Sequence, residues 1–241
     1  MNLYRVFPEP RLMLSLDEES SHEQLREWYR PEGERSARLT LISSSSGRLT
    51  GSDGTSYSLS NPADRSILRA QRHYSDAIIC GASTIRHEAV PIPAHAPLVV
   101  VTTSGMLDGH QVSEHSFRPG GVIVLSRGNA EHDGSRFFPE GVASTLTLPG
   151  TGDLKASEII AALKSRGFHH LLVEGGQTLA TVFAEAGVLS EVCLALTGPP
   201  LSENHPPMPW WSNSWGSWTS RHVLSDDQKY LYFRYVPEAD N

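Results

Sequence analysis

Short apolar runs, separated by polar and Gly/Pro-rich stretches, recur along the chain from residue 38 onward. Arg38 to Ile42, Asp76 to Gly81, Leu98 to Thr102, Gly120 to Arg127 and Phe168 to Val173 are short and rich in apolar strand-forming side chains. That pattern predicts strands, most of them buried on both faces, as in parallel sheets. Val142 to Leu148 is a weaker strand signal, and Leu189 to Leu196 a further one. Tyr230 to Val236 alternates aromatic and other residues, which predicts a terminal edge strand.

Helical spacing appears between these runs. Asn61-Pro62-Ala63-Asp64-Arg65 offers a polar cap, a proline in the first turn and an early acid, and Ile67, Leu68, Gln71 and Tyr74 extend it. Lys155 to Arg166 carries Ile159, Ile160 and Leu163 on one side and stops at Gly167. Leu179 to Gly187 follows the strand ending at Val173. The reading gives seven or eight strands and three or four helices, alternating early and more β-rich at the end. A mixed sheet with helices on both faces fits this order.

Residues 1–37 are polar and Pro/Glu-rich. Within them Ser21-His22-Glu23-Gln24 is a weak capping box, followed by Leu25, Trp28 and Tyr29. The segment reads as an N-terminal extension with one surface helix, ahead of a domain over 38–241. Residues 202–220 concentrate Trp210, Trp211, Trp215 and Trp218 among prolines and serines. Such aromatic area needs a surface to cover: the domain's own core, a planar ligand or a partner chain.

The chain has 241 residues, a net charge of −7 and no Lys/Arg block, which argues against general nucleic-acid or anionic-membrane binding. No apolar run reaches membrane-spanning length and no secretory pattern opens the chain, so a cytoplasmic location is expected. Cys80 and Cys193 lie in strand-like runs and read as buried small hydrophobes. Eleven histidines suggest metal, but His169 and His170 are adjacent and would face opposite sides of a strand. The other histidines show no repeated ligand spacing, and no metal is expected.

Two corners carry the chemistry. Val173 runs into Glu174-Gly175-Gly176-Gln177-Thr178 and then a helix. Cys80 runs into Gly81-Ala82-Ser83-Thr84-Ile85-Arg86-His87-Glu88. Each is a buried strand, a turn of small residues and a helix start, an arrangement that lets backbone N–H groups approach a phosphate. Neither is a P-loop or a Gly-x-Gly-x-x-Gly fingerprint, and a zinc-hydrolase or nucleophile-elbow motif is also missing. The serines 43–46 after the first strand read equally well as a linker or as the wall of a polar pocket.

In order along the chain, Ser44 to Arg48, Asn61 to Arg65, Asp76 to Glu88, Leu98 to Gly105, Val173 to Thr178, Gly198 to Leu201 and the aromatic last strand resemble the pyrimidine reductases of riboflavin biosynthesis. The resemblance implies a dihydrofolate-reductase-like fold: α/β/α layers around a mostly parallel mixed sheet with a C-terminal antiparallel edge. It implies an NADPH-dependent reductase acting on a phosphorylated ribosylaminouracil, and a homodimer. By that resemblance Gly81, Ala82, Ser83, Thr84, Gly175, Gly176, Gln177 and Thr178 flank the cofactor's pyrophosphate. Thr103, Ser104 and Arg127 approach its 2′-phosphate. Ser44, Ser46, Glu88 and Glu174 line the substrate side, with the two glutamates as catalytic candidates, and Arg65 or Arg86 holds the substrate's phosphate. The family usually places an Asp where this chain has Ser46, which removes a carboxylate from that wall.

Overall fold

The structure is a computed structural model and describes residues 1–34, 36–197 and 217–238. Eleven strands and five α-helices run through the described residues. The chain divides into two compact units, one made of Met1–Tyr74 with Leu189–Asn241 and the other of Ser75–Val188.

The second unit is the simpler. It holds β4 (Ala77–Gly81), α3 (Ala82–His87), β5 (Leu98–Val101), β6 (Val122–Arg127), β7 (Ala143–Leu148), α4 (Ala156–Lys164), β8 (His170–Val173) and α5 (Gln177–Glu185). Its strands are parallel, in the order β8-β4-β5-β6-β7. The continuous apolar runs of the sequence become its core: Ile78, Ile79, Leu98, Val99, Leu125 and Leu172 are buried. Ile159, Ile160 and Leu163 of α4 and Leu179 and Phe183 of α5 are buried too, the helical spacing doing what it predicts. Asp76 Oδ2 accepts from the backbone N–H of both His169 (2.7 Å) and His170 (2.9 Å), pinning the entry of β8 beside that of β4.

The first unit contains β1 (Asn2–Phe7), β2 (Leu12–Ser15), α1 (Glu19–Trp28), β3 (Ser36–Ser44), α2 (Pro62–His73), β9 (Glu191–Thr197), β10 (Trp218–Asp226) and β11 (Leu231–Pro237). Its strand order is β2-β1-β10-β11-β9-β3, antiparallel throughout except for the parallel pair β3/β9. This is the mixed α/β architecture the resemblance implied, with parallel strands and antiparallel strands toward one edge. The edge strand expected at Tyr230 to Val236 is a correction: β11 pairs with β10 on one side and β9 on the other, and the N-terminal β1 and β2 form the edge instead.

The N-terminal segment differs from expectation. It supplies two strands as well as the helix, and Leu3, Leu25, Trp28 and Tyr29 join Ile67, Leu224 and Tyr232 in one apolar cluster. The capping box is not formed: the N-cap is Glu18, three residues before Ser21, with no side-chain cap. The start of α2 follows the sequence closely, since Asn61 Oδ1 accepts from Asp64 N at 2.9 Å and Pro62 opens the helix. Gly198 to Leu201, Trp210, Trp211 and Trp215 lie outside the described residues, whereas Trp218 opens β10. Both cysteines are buried free thiols, and burial pushes that of Cys193 up to about 12.

Three side chains from separate strands meet in the first unit's interior. Glu191 Oε2 accepts from Arg38 Nε and Arg234 Nε, both at 2.9 Å. The same guanidiniums donate to the carbonyls of Tyr29 (2.8 Å), Trp28 (2.7 Å) and Arg30 (3.0 Å), so two arginines cap the C-terminal end of α1.

Candidate active site

The two glycine corners come together in the second unit. Strands β4 and β8 are parallel neighbours, with Ile79 level with Val173, and Glu174 N donates to Ile79 O at 2.9 Å. Both strands therefore end on the same side of the sheet, and the chain turns there into α3 and α5. This is the carboxyl edge where ligands of open α/β sheets bind.

The corners use glycine differently. Gly175 and Gly176 have φ of +90° and +73°, a region L side chains rarely adopt. A Cβ on Gly176 would lie 3.0 Å from Thr84 Oγ1, so the second corner is set directly against the first. Gly81 has φ −85°, ordinary extended backbone, and a Cβ there would meet nothing within 4 Å. The space in front of Gly81 is thus open rather than filled by protein.

The start of α5 suits an anion. Its N-cap is Gly176, which has no side chain to accept from the first-turn N–H groups, and that turn contains no acid. Such uncapped N–H groups, at the positive end of the helix dipole, favour a phosphate. Ser83 is exposed and Thr84 partly so, on the first turn of α3. A dinucleotide's pyrophosphate fits this cradle on three counts: open space at Gly81, the missing Cβ at Gly176 and uncapped N–H groups at Gln177 and Thr178.

The next strand brings in a third loop. Past the end of β5, Thr102 Oγ1 accepts from Gly105 N (3.1 Å), and Ser104 Oγ accepts from Met106 N (3.2 Å). Ser104 O accepts from His132 N at 3.0 Å, and Gly105 packs against the His132 carbonyl with no room for a Cβ. Thr103 is exposed on this turn.

Arg127 requires a correction. It is buried, and its Nη2 donates to Glu158 Oε2 (2.7 Å) and Asp153 O (2.8 Å). Its Nη1 donates to Pro149 O (2.7 Å) and Glu158 Oε1 (3.2 Å). A guanidinium whose two Nη atoms are spent on four internal acceptors, and whose remaining Nε is buried, is a clamp between the end of β6 and α4 and is not presented to a 2′-phosphate. The hydrogen bonds from Arg127 hold the Glu158 carboxyl below the usual range.

Arg86, expected on the substrate, instead lies along the β5 turn, where its Nη1 donates to Met106 O at 3.1 Å. Gln111 Nε2 donates to the Arg86 carbonyl at 2.7 Å and fixes that end of α3. Glu88 closes α3, with its N–H donating to Thr84 O at 2.8 Å. Glu174 is partly exposed just past the end of β8, and Glu88 is partly exposed at the far end of α3.

Ser44, Ser46 and Arg65 belong to the first unit. The serine stretch is no linker: it closes a tight turn in which Ser44 N donates to Arg48 O (2.8 Å) and Gly47 N to Ser44 O (2.9 Å). The hydroxyls of Ser44 and Ser46 share a hydrogen bond of 2.9 Å. Arg65 lies 5.3 Å over the ring of Tyr57, which is 67% exposed. Beside it Asp64 is pushed up to about 6, by burial first and then by the charge of Asp226. A buried polar knot that sequence reasoning missed sets this helix start. Asn61 Nδ2 and Tyr232 Oη donate to Asp226 Oδ2 at 2.6 and 2.8 Å. Its signal was the alternation in Tyr230 to Val236, which places Tyr232 on the inner face; the partners are remote in sequence.

Comparisons with known proteins bear on the fold and the family. A search of curated proteins finds no match. Among solved structures, a pyrimidine reductase-like protein from Corynebacterium diphtheriae superposes with a TM-score of 0.65 at 18% identity, over 86% of this chain and 93% of that one. A deaminase/reductase from Thermotoga maritima gives 0.61 at 18%, over 92% of this chain and 63% of its own. The Saccharomyces riboflavin biosynthesis reductase Rib7 gives 0.61 at 13%, over 90% and 99%. At these identities the superpositions establish the fold. The model of the RibD C-terminal domain matches residues 35–199, most of the chain. With that match, the chain belongs to the RibD C-terminal domain family, the pyrimidine reductases of riboflavin biosynthesis.

Proposed function

We propose that this protein is an NADPH-dependent reductase that converts 5-amino-6-(5-phosphoribosylamino)uracil, the substrate named for the Thermotoga relative, into its ribitylamino product. The observation that carries the reading is the paired corner, with Gly176 fitted against Thr84 and open space before Gly81. The bound nicotinamide supplies a hydride, so the protein's task is positioning. Ser83, Thr84 and the first N–H groups of α5 hold the pyrophosphate. Thr103 and Ser104 sit at the adenosine ribose. Glu174, at the end of β8, and Glu88, at the far end of α3, orient the substrate. A cytoplasmic homodimer is part of the same reading, supported by the family resemblance.

Purified protein should oxidise NADPH when given this substrate, followed by loss of NADPH absorbance and by mass spectrometry of the ribityl product. Absence of turnover from mildly acidic to mildly basic pH refutes the assignment. Ser46 supports a second reading, a family member that binds NADPH but reduces poorly, because the family usually places an Asp at this position. Ser46→Asp separates the two: gained turnover supports impaired catalysis, and loss of existing turnover supports a site adapted to serine.

A further inference from the structure

With Arg127 buried against Glu158, a 2′-phosphate at the ribose end of the site needs another cation. Arg86 is placed to supply one. Its Nη1 is tied to Met106 O at 3.1 Å, and its other guanidinium nitrogens have no partner among the described residues. The turn beneath it is rigid, braced by the hydroxyls of Thr102 and Ser104 and by the backbone of His132. Because β5 neighbours β4 in register, with Gly81 level with Val101, this turn lies one strand along from the pyrophosphate corner. A nucleotide bound at that corner meets the turn next. The hydroxyls of Thr103 and Ser104 in this loop, and the spare donors of Arg86 on α3 beside it, are then placed to read the 2′ position, and of these only Arg86 carries charge.

Resting on the dinucleotide reading above, we infer that Arg86, rather than Arg127, is the residue that makes this protein prefer a 2′-phosphate over a 2′-hydroxyl. A guanidinium matches a phosphate dianion through paired charge-assisted hydrogen bonds and gains nothing comparable from a hydroxyl.

The test is binding, not turnover. Equilibrium titrations with NADP⁺, NAD⁺, 2′,5′-ADP and 5′-AMP, read by intrinsic tryptophan fluorescence and calorimetry, are run on the wild type, Arg86→Gln, Arg86→Lys and Arg127→Gln. Glutamine at 86 keeps an N–H donor but is shorter, so thermal melting of each variant is read beside binding to separate loss of the Met106 contact from loss of charge. Arg86→Gln should weaken NADP⁺ and 2′,5′-ADP by about tenfold or more, change NAD⁺ and 5′-AMP by less than about twofold, and be partly rescued by lysine. Arg127→Gln should lower thermal stability and leave the NADP⁺/NAD⁺ ratio as in the wild type. Should Arg86→Gln fail to fold, Arg86→Met is judged by the same ratio. An unchanged ratio in the folded variant overturns the inference, including the case where only the substrate KM rises. So does a wild type that binds NAD⁺ as well as NADP⁺, although the dinucleotide reading survives that result. A wild type that binds none of the four probes removes both.

Discussion

Replacing each corner glycine by alanine separates what the fold needs from what the ligand needs. At Gly81 the added methyl meets nothing within 4 Å and the backbone angle is ordinary, with φ −85°. Gly81→Ala should therefore unfold within about 0.5 kcal/mol of the wild type. At Gly176 the backbone sits at φ +73° and the methyl would lie 3.0 Å from Thr84 Oγ1. Holding a non-glycine residue in such a region costs about 1–3 kcal/mol. For a chain of this size, each kcal/mol moves the melting temperature by about 2–4 °C. Gly176→Ala should thus melt roughly 2–12 °C lower. Binding should run differently: on the proposed placement of the phosphate, the methyl at Gly81 enters its approach and the one at Gly176 pushes on Thr84, and each variant should lose about tenfold or more in NADP⁺ affinity. Differential scanning calorimetry gives the first quantity and isothermal titration the second, on the same samples. A Gly81→Ala protein that melts like the wild type and binds NADP⁺ equally well would refute the placement of the phosphate before β4.

Other expectations follow from the buried charges. Glu191→Gln leaves the buried guanidiniums of Arg38 and Arg234 without their shared carboxylate, and urea denaturation should show a loss of about 3–5 kcal/mol. Asp64 titrates near 6 in the folded chain, above its ordinary range, so the native state holds the proton more tightly. Its contribution to stability is present at low pH and is lost as pH rises from about 4 to 6, by about 1.4 kcal/mol per unit of pKa difference. Asp64→Asn should remove that slope from a stability–pH profile. His222 is pushed down to about 3, by burial and then by the charges of Arg234, Arg38 and Arg5. The unfolded chain therefore takes up the proton first, and stability falls as pH drops from about 6.5 toward 3. A profile of His222→Phe that keeps the wild-type acid slope would contradict this.

The parallel unit was legible because its strands are buried on both faces and carry unbroken apolar runs, as at Leu98 to Val101 and Leu171 to Val173. The antiparallel edge was less so. β10 buries His222, Leu224 and Asp226 on its inner face, so polar residues occupy core positions and the alternation disappears from the sequence. β1 buries only Leu3, and most of its order comes from pairing with β10, a partner more than two hundred residues away. Among candidate site residues, the glycine corners could be read because strand, turn and helix start are local events. Arginines could not: whether Arg127 or Arg86 has donors to spare depends on Glu158, Asp153 and Met106, which the fold alone delivers.

The sequence by itself determined the order of elements, the two corners, the cap on α2 and the family, since each rests on neighbouring residues and their spacing. Only the tertiary structure decided that Gly176 stands against Thr84, that Arg127 is an internal clamp, and that the N-terminal segment is part of a core. The reason is physical: backbone propensity acts over a few residues, whereas a side chain's free donors depend on whichever acceptors the folded chain brings to it.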